Sequence, residues 1–296
     1  MGRSQLNSNF FTSAFGWRVV SSIIMLGLVA VALWLQDLGV ILLLMACTVL
    51  MAFEWAAMCK ITLRKRAAFT LIISIYAALL CTYTNHLYLA MGCLFLSAAV
   101  NILLGWLSWR RGFLWLALGI LYIGIPTSLL IWLMRTFDNG IFLLIWLMVI
   151  VCCNDVGGYM VGRLVGGVKL APRISPNKTW SGFFGGLIFV GVGAYIYYHY
   201  YPLGFDFNEF LLASFGIAIL ATFGDLIESA LKRFHKVKDS GRLIPGHGGV
   251  FDRIDGFFLA IPALALLGYL LPQMFASPSP VIQEEMVLLP VSETLE

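Results

Sequence analysis

Residues 113–134 read FLWLALGILYIGIPTSLLIWLM, a run with no charged side chain that ends at Arg135. A helix needs about 20 such residues to cross the hydrocarbon core of a bilayer. Comparable runs lie at 17–36, 39–59, 67–85, 87–107, 141–162, 183–203, 209–231 and 255–276. The chain is 60% hydrophobic and 11% charged, whereas a soluble domain carries about 25% charged residues. The expected fold is therefore all-α, a polytopic helical membrane protein with about nine transmembrane helices. The polar start, Met1 to Asn9, and a first apolar run with no small-residue cleavage pattern argue against a removable signal peptide.

The basic residues orient these spans. Of the 19 Lys and Arg, only Arg135 follows an odd-numbered span; Arg3 and Arg18 precede or open the first. The rest follow the second (Lys60, Arg64, Lys65, Arg66), fourth (Arg110, Arg111), sixth (Arg163, Lys169, Arg173, Lys178) and eighth (Lys232, Arg233, Lys236, Lys238, Arg242, Arg253). Positive loops stay inside. The N-terminus and all four basic loops are thus expected in the cytoplasm, with the chain in the cell's inner (plasma) membrane. The tail bearing Glu284, Glu285, Glu293 and Glu296 is expected outside. The formal charge of +4 then belongs to the cytoplasmic face and suits anionic headgroups and nucleotides. Nucleic acid is not an expected partner, because there is no soluble basic domain to hold it. The six cysteines lie in apolar spans without ligand spacing and read as reduced packing residues.

The polar residues divide the chain. Residues 1–140 read as N-terminal scaffold helices, with Glu54 and Asn101 as their main polar interruptions, each placed either to join the polar centre or, in the preferred reading, to bond a neighbouring helix. Residues 141–276 crowd Gly, Pro and charge around two polar loops, 163–182 and 232–254, and residues 277–296 form a tail. Long loops in compact proteins tend to be functional, so the chemistry is expected between 150 and 256.

In the first polar segment, Asp155 lies inside a hydrophobic helix, at an insertion cost of about 2.5–3.5 kcal/mol unless it faces a cavity, a cation or a partner. Gly158, Gly162 and Gly166 recur every fourth residue, the pattern that lets helices approach closely. It packs helices within the chain or offers a face to a homodimer. Ser175-Pro176 interrupts any helix, and Thr179 or Ser181 is placed to cap the next. Lys178, Thr179 and the free N–H groups of that helix start form a candidate phosphate cradle, although P-loop spacing is absent.

The second segment is the stronger signal. Asp225, Glu228, Ser229 and Lys232 fall at i, i+3, i+4 and i+7 and share a helix face. After a loop containing Gly246-His247-Gly248-Gly249, Asp252 and Asp255 stand three apart. Two acid pairs joined by a basic, glycine-rich loop form a candidate divalent-cation and triphosphate site.

Ser229-Ala230-Leu231-Lys232-Arg233, Lys238-Asp239, Pro245-Gly246-His247-Gly248-Gly249 and Asp252-Arg253-Ile254-Asp255, with their spacing, closely resemble the signature of phosphatidate cytidylyltransferases. Asp155, the Gly-Arg that ends its span and Ser175-Pro176-x-Lys178-Thr179-Trp180 also look like that family, while Ser181 and Asn154 depart from its pattern. The resemblance implies transfer of a cytidylyl group from CTP to phosphatidate, giving CDP-diacylglycerol and pyrophosphate, with membrane lipid as the setting. It implies Mg²⁺, with K⁺ as a second ion, held by Asp225, Asp252 and Asp255. It further implies that Lys178, Lys232, Arg233, Lys238, His247, Gly248, Gly249, Arg253, Ser175 and Asp155 contact substrate. A CTP-dependent enzyme acting on another lipid phosphate or a polyprenol remains an alternative. A secondary transporter is the rival from another class, but it would spread acids through both halves.

Overall fold

The computed structural model describes residues 14–275 apart from 62, 109–111, 202, 203, 205 and 242. Arg3, Arg110, Arg111, Arg242 and the acidic tail therefore lie outside the described residues. Within them the chain forms α1 (Ala14–Trp34), α2 (Gln36–Met58), α3 (Arg64–Tyr83), α4 (Leu87–Ser108), α5 (Gly112–Thr136) and α6 (Gly140–Val165). A hairpin of β1 (Lys169–Ala171) and β2 (Ser175–Thr179) precedes α7 (Trp180–Tyr200), α8 (Phe207–Phe234) and α9 (Phe257–Leu270). The first eight helices are long and apolar enough to cross a membrane, and the chain is a multi-pass helical membrane protein.

The last span differs from its expected range of 255–276. Asp255 and Gly256 belong to a turn, so α9 has only 14 residues, or about 21 Å of rise. Pro272 opens a 3₁₀ turn, Pro272–Phe275, because a proline nitrogen cannot donate the next helical hydrogen bond. Phe275 is fully buried and stacks at 5.1 Å on Phe137, in the connection between α5 and α6. Helix and turn together thus reach from the polar end of the bundle to its opposite end. Arg135 lies at that opposite end, with its guanidinium 4.3 Å above the Tyr83 ring. The ends of α2 and α8 and the starts of α3 and α5 gather instead at the polar end, around one cavity.

Two apolar cores share the bundle. One joins α6 to α9, and the other joins α2 to α5. The scaffold helices do not stand apart: Val250, Phe251 and Phe258, from the second polar loop and the helix after it, pack into the α2–α5 core. Phe251 meets Trp55 at 5.7 Å and Tyr122 at 5.8 Å, so burial of two loop residues ties the loop to the N-terminal half.

The glycine stripe of α6 is used inside the chain. A Cβ on Gly182 of α7 would stand 2.6 Å from the Gly158 carbonyl oxygen and 3.2 Å from Gly162 Cα. Gly166 is not part of this contact; it sits at φ +65° and ends α6. A second copy would have to dock elsewhere than on Gly158 and Gly162. The Thr179 hydroxyl caps α7 by accepting from Gly182 N at 3.1 Å, as its position before the helix requires. Ser181 donates to the Gly166 carbonyl and lies 3.0 Å from the Thr179 hydroxyl, pinning the end of α6 to the start of α7. Gly182→Ala should lower the melting temperature of the detergent-purified chain by roughly 3–10 °C, as overpacking against backbone typically costs about 1–3 kcal/mol. Gly27→Ala, at a position with open space, is the control; equal effects from the two would contradict this account of the α6–α7 contact.

Candidate active site

Lys232 lies at the centre of the second polar segment. On α8 it is one turn from Glu228, and its ammonium stands 2.8 Å from Glu228 Oε1 and 2.8 Å from Asp252 Oδ1. All three residues are buried, Glu228 completely. A buried charge that loses its partner costs about 3–5 kcal/mol, so this triad fixes the loop carrying Asp252 against the end of α8.

Asp252 is further committed to backbone. It accepts from Ser240 N at 2.9 Å, from the Ser240 hydroxyl at 3.0 Å and from Gly249 N at 2.9 Å. Burial alone would raise its pKa, but Lys232 and these donors hold the carboxyl below its usual range. Glu54 works in parallel from α2, accepting from Val250 N and Phe251 N at 2.9 Å each, with Oε2 3.1 Å from the same Ser240 hydroxyl, whose one hydrogen the two carboxylates share. The expectation that Glu54 merely bonds a neighbouring helix is thus corrected, since it clamps the loop. Asn101 instead donates to Ser97 within its own helix at 2.8 Å.

These two carboxylates explain the glycine run. A Cβ on Gly248 would approach Asp252 Oδ2 to 2.7 Å, and one on Gly249 would collide with Ser240 and Glu54. Gly246 and Gly248 also take φ of +76° and +83°, where side chains are strained. His247 closes the same turn onto α1, with Nδ1 2.7 Å from the Ser21 hydroxyl and Nε2 3.4 Å from that of Ser22. Burial, with help from Arg253 and Arg18, holds its imidazole below its usual range, leaving it neutral at pH 7.

Beside the clamped loop lies a second group of acids. Gly224 lets α8 approach the following turn; a Cβ there would stand 3.0 Å from the Asp255 carbonyl oxygen. Asp225 and Asp255 are thereby neighbours, and Asp155 of α6 is within electrostatic reach of both. Lys178 of β2 pairs with Asp225, and the Ser229 hydroxyl donates to Asp225 at 3.2 Å. Asp255 accepts from Gly256 N at 2.9 Å. It lies in the turn before α9, where burial first, and then the Asp225 and Asp155 carboxylates, push its pKa up to about 7.

The remaining expected contacts fall around this centre. Arg233 donates to the Ile174 carbonyl at 3.3 Å and the Val237 carbonyl at 3.2 Å, holding the hairpin to the end of α8. Ser175 opens β2 opposite Ala171, and Lys238 and Arg253 are exposed. The structure therefore brings Asp225, Asp255, Lys178 and Asp155 together and gives Asp252 and Lys232 to the loop joint beside them.

The charges of this network do not balance. Beside the Lys232 joint, three carboxyls, Asp155, Asp225 and Asp255, crowd together with two cations, Lys178 and Arg253, in reach. Glu228 Oε2 is buried without a hydrogen-bond partner. A cation bound among the three aspartates would relieve their mutual repulsion. Among the described residues, no three His, Cys, Asp or Glu side chains are gathered tightly enough to enclose an ion by themselves. That arrangement fits Mg²⁺, which is usually held by one or two carboxylates together with substrate phosphates and water.

The profile of the cytidylyltransferase family matches residues 16–271. The chain belongs to the cytidylyltransferase family. A phosphatidate cytidylyltransferase of Brucella suis biovar 1 (strain 1330) is 33% identical over 265 residues, covering 88% of this chain and 94% of that protein. Shorter matches include phosphatidate cytidylyltransferases of Bacillus subtilis (strain 168), 38% identical over 51% of this chain and 56% of that one, and of Haemophilus influenzae, 45% identical over 42% and 44%. Asp225 and Lys232 lie seven residues apart on α8, so the acid group and the clamped loop meet the same helix about two turns apart.

A proton on Asp255 predicts a pH effect. With its folded pKa raised to about 7, the stability this group contributes is fully present below its unfolded value, about 4, and is lost as pH rises through 7. In chelator, the melting temperature of wild type relative to Asp255→Asn should therefore fall between pH 5 and pH 8. A difference that stays flat or grows with pH would contradict the assigned surroundings of Asp255.

Proposed function

We propose that the chain transfers the cytidylyl group of CTP to phosphatidate, releasing pyrophosphate and forming CDP-diacylglycerol. The observation that carries this reading is the Asp225–Asp255 pair with Lys178 at its edge, within a chain related to phosphatidate cytidylyltransferases over most of its length. We further propose that the polar end faces the cytoplasm at the inner leaflet of the plasma membrane. There a soluble nucleotide would meet a lipid headgroup, and the distribution of basic residues supports this orientation.

In the reaction, a phosphatidate phosphate oxygen attacks the α-phosphorus of CTP, and the bond to the pyrophosphate oxygen breaks in line. A phosphate monoester is mostly deprotonated at pH 7, so no side chain has to remove a proton from the nucleophile. The residues instead orient and neutralise. Asp225 and Asp255, with Asp155 in reach, would hold Mg²⁺, which when bound offsets the charge of the triphosphate oxygens. Asp252, whose oxygens are engaged by Lys232, Ser240 and Gly249, positions the loop rather than the ion. Lys178 leaves Asp225 to meet phosphate oxygens, and Arg253 and Lys238 add positive charge at the exposed rim. Preorganised charge of this kind supplies most of the rate in nucleotidyl transfer.

The direct test uses purified chain, labelled CTP and phosphatidate in detergent. Pyrophosphate release should require Mg²⁺ and stop in chelator, and Asp225→Asn should lower turnover by at least 10³-fold with insertion intact. Undiminished activity in chelator would exclude this arrangement. A polyprenol phosphate accepted in preference to phosphatidate would move the chain to another lipid substrate.

A further inference from the structure

A cavity of about 820 Å³ lies at the polar end, enclosed by the end of α2, the starts of α3 and α5, and the ends of α4 and α8. None of the acids of the candidate active site lines it, and no Asp or Glu is among its lining residues. Its polar members are cationic or neutral: Lys60, Arg66, Asn101, Thr70 and His235. The rest of the wall is aliphatic and aromatic. On α4 it includes Val100, 45% exposed on the outer surface of the bundle.

Three features mark this as a built site. His235 is only 9% exposed, and its Nε2 is buried with no hydrogen-bond partner while the ring is held edge-on by Trp115 at 4.3 Å. Leaving a buried polar atom unsatisfied costs about 1–3 kcal/mol, so a ligand oxygen that reaches the ring as the wall adjusts would recover it. Lys60 and Ile61 close the end of α2 by donating to the Ala57 and Ala56 carbonyls at 3.1 Å each, and that turn sets both residues in the cavity wall. The size also suits one ligand, since small-molecule sites run to about 300–1,000 Å³.

We propose that this cavity binds one anionic phospholipid, distinct from the substrate in the acid site. Its headgroup phosphate would lie between Lys60, Arg66 and His235, and its chains would leave along the apolar wall of α4. Basic pockets between spanning helices on the cytoplasmic side suit anionic headgroups, and the described lining residues carry positive charge without a carboxylate. The occupant would also be felt at the active loop. The Trp115 carbonyl accepts from Trp55 Nε1 at 2.8 Å, Trp55 packs on Phe251, and His235 follows Lys232 by three residues at the end of α8.

The test counts lipid bound to the full-length chain by native mass spectrometry, using phosphatidylglycerol and phosphatidylcholine with identical acyl chains. Phosphatidylglycerol carries the charge but no monoester to attack CTP. Wild type should bind it at least tenfold more tightly than phosphatidylcholine. The Lys60→Ala/Arg66→Ala pair should erase that preference while turnover at saturating phosphatidate falls less than threefold. Val100→Trp, which keeps the charges and fills the wall, should lose the lipid as well. Equal binding of the two lipids, or a preference that survives the double substitution, would overturn the proposal. Displacement by millimolar inorganic phosphate would show a phosphate site with no role for the chains. Loss of turnover together with lipid binding would show that the cavity serves the substrate itself.

Discussion

The arrangement of the polar end depends on one buried ammonium shared by two carboxylates. Lys232 lies between Glu228, on its own helix, and Asp252, twenty residues further on. Neither acid is stable in the bundle without it, and Asp252 reaches it only when the intervening loop folds back over the end of α8. Asp252 then orders that loop by collecting the N–H groups of Ser240 and Gly249, and Glu54 does the same for Val250 and Phe251. The turn that follows delivers Asp255 beside Asp225, with Gly224 providing the room. Electrostatics, loop conformation and helix packing are thus one constraint expressed at three levels.

That constraint separates two kinds of acid. Glu54 and Asp252 are saturated by donors and hold structure. Asp155, Asp225 and Asp255 are under-compensated and partly open, and burial, followed by repulsion from the other two, raises the pKa of Asp255 to about 7. Under-compensated carboxylates at a membrane surface are costly, and the cost is offset when a cation and phosphates arrive together. Binding of nucleotide and metal would therefore also stabilise the end of the bundle.

Much of this was legible in the sequence. Eight spans follow directly from hydrophobic run length, and the shared face of Asp225, Glu228, Ser229 and Lys232 follows from helical spacing; the ion pair of Glu228 with Lys232 and the Ser229 bond to Asp225 realise it. The Thr179 cap was visible for the same local reason. Contacts distant in the chain were not. Glu54 meets Ser240 across 186 residues and His247 meets Ser21 across 226, and no periodicity encodes such pairings. An acid within an apolar span does signal that some partner exists, and for Glu54 that partner is the loop. The hairpin of β1 and β2 was hidden by its brevity and by Pro176 within a strand, and α9 is shortened by Pro272 at one end and by the Asp255–Gly256 turn at the other.

The central claim is that the cation site is formed by Asp225 and Asp255, with Asp252 reserved for Lys232. Crystals grown with Mn²⁺ in place of Mg²⁺ and a non-hydrolysable CTP analogue would test it most directly through the anomalous scattering of manganese. The account predicts a peak in contact with both Asp225 and Asp255 while Asp252 keeps its bond to Lys232. A manganese ion ligated by Asp252, with Lys232 displaced, would contradict it.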